Sequence, residues 1–290
     1  MTALVNVIVM TGMLAVVPLG LSLIGLPAWI RRLWMAGAIA GAISLWLPRG
    51  PLAVLLAALY AAATLPLGGW GLHFGASRRP PEGARAGGAG SGGAGSGGAG
   101  SAGAVVAVAM ALATPVVAAT ALVAERGGYR LFGFSLRILS LTVAHFHFAG
   151  FAAALTAGLV CRASGGAVAR AAAWSVPVKT LVVLIGYFTG QWVEFAGAVV
   201  LTCGMWLVGW VTFADVRPGG MARGLLLVSA GVLAATMVLA LWWALGEASG
   251  VVHPSLGWMA ATHGTGNAFG FGLCGMLAWR MVREKGVGDG

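Results

Sequence analysis

AAAWSVPVKTLVVLIGYFTGQWVEFAGAVVLTCGMWLVGWVTF, residues 171–213, holds two charged side chains, Lys179 and Glu194. As a single helix it would run roughly 65 Å, about twice the thickness of a bilayer's hydrocarbon core. So long and apolar a run must cross a membrane, turn and cross back. The turn belongs at GYFTGQ (Gly186–Gln191), where small and polar residues interrupt the apolar sequence.

The rest of the chain has the same character. Hydrophobic residues make up 59% and charged residues 8%, with a mean hydropathy of +0.93. An ordinary soluble domain is about 25% charged. The sequence therefore predicts an all-α, polytopic transmembrane helix bundle. Its partner is the lipid bilayer, with room for a small-molecule or lipid ligand. The net charge of +10 then records topology and contact with anionic lipid, not nucleic acid. Cys161, Cys203 and Cys274 form no CxxC pair and read as small buried residues. The N-terminus is apolar from Thr2 and lacks a basic leader, so it reads as a first spanning helix.

Apolar runs place about nine spans near residues 3–25, 33–48, 51–73, 104–124, 136–160, 171–189, 192–213, 222–246 and 256–279. The second is short and closed by PRGP, Pro48–Pro51. Residues 1–75 thus carry three helices and residues 104–285 six. Between them, residues 76–103 are rich in glycine and serine with a repeated GGAGS. Such a composition buries little apolar surface and reads as a flexible cytoplasmic loop.

Orientation follows from the basic residues. With the N-terminus outside, the inside segments hold twelve: Arg31, Arg32, Arg78, Arg79, Arg85, Arg162, Arg170, Arg217, Arg223, Arg280, Arg283 and Lys285. The outside segments hold three, Arg49, Arg126 and Arg130, with Arg137 and Lys179 assigned near helix ends. Twelve against three predicts N-out, C-in.

In that frame three distant stretches put polar groups in the outer half of the bilayer. TVAHFHFAGF (Thr142–Phe151) carries His145 and His147; ATHGTGNAFGFG carries His263 and Asn267; GQWVEF carries Gln191 and Glu194. His263 and Asn267 share a helical face. Two residues apart, His145 and His147 diverge by about 200°, so they serve different surroundings. Intramembrane ionisable groups default to function, which makes His145, His147, Glu194, His263 and Asn267 the candidate binding residues. The competing reading is packing: a lone membrane histidine is often a satisfied interhelical hydrogen bond, and the small residues of GTGNAFGFG suit close helix contact. His73 reads as interfacial, most of the tryptophans as an aromatic belt, and Glu247 and His253 as outer-loop polarity.

AHFHFAGF and THGTGNAFGF, in that order near the end of a multi-span chain, resemble the YndJ-like family of bacterial membrane proteins. The resemblance is strongest over about Tyr129–Arg280 and implies a location in the bacterial cell membrane, with a transporter role as a further implication. VAHFHF is also similar to the His-x-His segment of haem–copper oxidase subunit I, in which the two histidines serve different haems. That similarity implies haem or a transition metal on His145, His147 and His263. The two segments stand here in the opposite order, however, and the copper-site motifs are missing.

Walker A, HExxH, GxSxG and dinucleotide signatures are absent, which weighs against hydrolase and NTPase chemistry. The expected function is a small-molecule transporter. The alternatives are a haem- or metal-binding redox protein, a membrane-embedded lipid or isoprenoid enzyme using Glu194 and a histidine as acid and base, and an accessory subunit. The sequence sets no oligomeric state.

Overall fold

A computed structural model describes residues 2–77 and 97–288, which form helices and short connections with no strand among them. The helical rods are α1 (Thr2–Ile24), α2 (Ala28–Ser44), α3 (Pro51–Ser77), α4 (Gly97–Arg126), α5 (Leu136–Ser164), α6 (Ala167–Thr189), α7 (Gln191–Asp215), α8 (Gly220–Ser249) and α9 (256–288). Among the described residues, six of them are long and apolar enough to cross a membrane: α1, α3, α4, α5, α7 and α8.

Local chemistry sets the boundaries. Pro27 immediately precedes α2 and Pro51 opens α3, positions that cost no intrahelical hydrogen bond. The hydroxyls of Ser135 and Ser255 cap α5 and α9 by accepting from Ile138 N and Trp258 N. The turn expected in the opening stretch falls at Gly190, whose φ of 141° and ψ of 165° suit glycine alone. Just before it, α7 crosses so close to Gly186 that a β-carbon there would lie 2.6 Å from Glu194 Cγ.

Some boundaries depart from the sequence reading. The second helix runs 28–44, not 33–48, because Pro27 releases it early and the main chain leaves the helix after Ser44. Residues 97–103, expected in the glycine-rich loop, belong to α4, and α3 continues to Ser77. The remainder of that loop, 78–96, lies outside the described residues.

Three rods, α1, α5 and α9, contain wide π-helical turns: Gly12–Val16 in α1, Phe146–Ala152 in α5, and Ala260–Gly264 and Gly266–Leu273 in α9. These turns pack against one another in the middle of the bundle. The approach is close. A β-carbon on Gly12 would lie 2.7 Å from His147 Cβ, and one on Gly20 would lie 2.5 Å from the Phe151 ring. Small residues permit such contact between helices that gain little from apolar burial in lipid. Around this junction α5 is served differently along its length. Residues 136–145 pack on α1 and α4, whereas Ala153–Ser164 pack on α4, α6 and α7.

A candidate polar site between four helices

His145 and His147 point to different partners, as their spacing requires. His147 is fully buried. Its Nδ1–H donates to Val143 O (2.7 Å), which leaves Nε2 as the acceptor for the Tyr60 hydroxyl (2.8 Å). Both ring nitrogens are used. Tyr60 in turn stands edge-on to Trp34, which is fully buried rather than part of an aromatic belt and donates to Met13 O in the π turn of α1 (2.9 Å). His147 thus fastens α5 to α3, and Trp34 fastens α2 to α1.

His145 faces the other way. Lys179 Nζ donates to its Nε2 across 3.2 Å. Lys179 is 5% exposed and lies ten residues inside the end of α6, so its placement near a helix end is corrected. A lysine stem long enough to bury its methylenes and still meet a polar partner is compatible with the helix interior. The His145 ring is exposed although Lys179 of α6 and His263 of α9 both lie within electrostatic range of it.

His263 belongs to a further pair of helices. Its Nδ1–H donates to Thr236 O of α8 (2.8 Å), and its Nε2 accepts from Asn267 Nδ2 (3.0 Å). Asn267, 8% exposed, meets the Thr236 hydroxyl through Oδ1 (3.0 Å). The glycines of the same stretch also pack: β-carbons on Gly266 and Gly270 would meet Thr236 and Val232 within 3 Å. Close packing and a polar network thus coexist on one face. Counted from the helix ends, His145, Lys179 and His263 sit at similar levels, roughly 11–15 Å in at 1.5 Å per residue.

Two candidate residues fall outside this group. His147 lies on the opposite side of α5. Glu194 is half-buried in the first turn of α7, roughly two turns nearer the helix ends than Lys179, and its charged neighbour is Glu247. Glu247 also pairs with His253 (3.4 Å).

A separate polar centre was missed in the sequence reading. Glu125, 1% exposed, accepts from Arg49 Nε (3.0 Å) and Nη2 (2.8 Å) and is also paired with Arg126. Arg126 Nη1 donates to the carbonyls of Ser44, Leu45 and Leu47, closing the C-terminal end of α2, where Asn6 also donates to Leu45 O (2.9 Å). Two arginines counted as free outer-loop charges are therefore ion-paired. The clue available was Glu125 itself, one of seven acidic residues in the chain. Of the cysteines only Cys161 is buried; Cys203 is exposed and Cys274 intermediate, because each follows the face its helix turns outward.

The sequence matches the family described as YndJ-like protein over residues 7–271. The chain belongs to the YndJ-like family. The match begins within α1, well before the stretch Tyr129–Arg280 over which the motif resemblance is strongest, and takes in both polar centres. No curated protein and no solved structure matches this YndJ-like chain.

Proposed function

We propose that this YndJ-like protein crosses the bacterial cell membrane nine times, N-out and C-in, and transports a small molecule. Its binding group is Lys179, His145 and His263, with Asn267 orienting His263. The observation that carries the reading is the buried Lys179 ammonium held on an exposed imidazole at mid-helix depth. Charged groups there are costly and default to a ligand or ion pathway. Binding near the middle of the bilayer, where helices depart from regular geometry, suits transport, and His263 sits in a π turn of α9. The haem reading is supported less well, since His147 has no nitrogen left for a metal.

The test is uptake into proteoliposomes of a radiolabelled panel of small anions, cations and neutral solutes. The wild-type protein takes up at least one solute above empty vesicles, and Lys179→Met abolishes that uptake. Equal uptake with and without the protein across the panel overturns the proposal.

A further inference from the structure

The donors and acceptors around Lys179 do not balance. Its ammonium has three N–H donors, and among the described residues one is used, on His145 Nε2. Because that nitrogen accepts, the neutral His145 ring carries its proton on Nδ1, and this N–H has no described partner. Both nitrogens of His263 are occupied, by Thr236 and Asn267. The group therefore presents two ammonium donors, one imidazole donor, one positive charge and no free ring acceptor.

No carboxylate offsets that charge. Residues 136–189, which include all of α5 and α6, contain no Asp or Glu, nor do residues 2–24 or 256–283. On α7 and α8, Glu194 and Glu247 face each other near the helix ends. A cation this deeply buried is strongly disfavoured unless an opposite charge accompanies it. His145 is exposed beside the ammonium, and from that side such a partner reaches it.

We infer that Lys179, held in place by His145, forms a binding site for an oxyanion, a carboxylate or phosphate, whose oxygens accept from the two N–H donors of the Lys179 ammonium that His145 leaves free. The inference rests on the transport reading only for its purpose; the site stands on the hydrogen-bond count. One chemistry has two sources here, a free solute or the phosphate of a lipid headgroup.

Equilibrium dialysis of the purified full chain in neutral detergent against radiolabelled inorganic phosphate and acetate tests it. Saturable binding of about one anion per chain is expected. Lys179→Met weakens it roughly ten- to a hundred-fold, the range for losing a hydrogen bond to a charged group, and Lys179→Arg restores part. His145→Ala, at an exposed position, weakens it several-fold and serves if the lysine variants misfold. Nanodiscs separate the sources. Phosphatidylglycerol displaces the radiolabelled anion if the site takes a headgroup, and phosphatidylcholine discs with or without it behave alike if the site takes a solute. Absence of saturable binding both in detergent and in phosphatidylcholine discs, or equal binding in wild type and both variants, overturns the site. Anion binding without vesicle uptake removes transport alone, and uptake without saturable, Lys179-dependent anion binding removes the anion site alone.

Discussion

Tyr60 and His147 are 87 residues apart and 2.8 Å from each other. Helical geometry alone gives the divergence of His145 and His147, since it needs only the 100° step between neighbours. It cannot give their partners, which arrive from helices α3 and α6. Lys179 escaped notice for a related reason: a lysine in an apolar run reads as a boundary, whereas here the helix continues ten residues past it. The two histidines should respond differently to substitution. Tyr60→Phe leaves His147 Nε2 without its donor and should lower the unfolding free energy in detergent by about 1 kcal/mol, the usual scale for an interhelical hydrogen bond in a membrane. His147→Ala in the Tyr60→Phe background should then cost less than in wild type, as a double-mutant cycle would show. Anion dialysis should be unchanged by Tyr60→Phe, because the Tyr60 hydroxyl and the Lys179 ammonium meet different histidines on opposite sides of α5. A loss of anion binding comparable to Lys179→Met would show instead that the two networks are one.

The helices themselves were legible from apolar runs and turn residues, and six of them among the described residues are long and apolar enough to cross a membrane, because length and hydropathy decide whether a segment can cross a bilayer. The π turns were not. A wide turn adds one residue to a repeat that otherwise keeps its apolar character, so no composition change marks it. Such turns recur at functional sites, and here they occur in the three helices that meet at the centre. Gly12 is the point at which α1 yields to α5. Gly12→Ala should force His147 Cβ away from a 2.7 Å clash, costing about 1–3 kcal/mol as an overpacked contact does. Thermal unfolding in detergent would measure it. Gly224→Ala, on α8 with open space around it, provides the comparison and should be neutral or slightly stabilising, since alanine is the better helix former. Equal effects at the two positions would mean that the α1–α5 approach is not tight.

At the scale of the molecule, the two ends of the bundle differ in how they treat charge. At one end, Arg49 and Arg126 are ion-paired with Glu125, so of the three basic residues counted as outside only Arg130 stays outside a described ion pair. At the other, Arg223 donates to the carbonyls of Phe213 and Val216 and Arg283 to that of Ser22, with Ser164 bonded to Asp215 nearby. Carbonyl acceptors leave a guanidinium's full charge in place, whereas Glu125 offsets it. Arg280, at the same end as Arg283, is nonetheless ion-paired with Glu284, so both ends offset part of their basic charge. The end with twelve of the basic residues stays the more positive, the end that anionic lipid on the cytoplasmic face favours. Single cysteines at Arg130 and Gly250, in a background with Cys161, Cys203 and Cys274 replaced by alanine, should react with a membrane-impermeant thiol reagent in intact cells. Cysteines at Gly165 and Pro218 should react only after the cells are opened. The reverse pattern would invert the topology, and labelling of Gly165 together with Gly250 would remove a crossing between them. The inverted topology would also move the Lys179 ammonium to the inner leaflet, where a cytoplasmic solute and not an external one would reach it.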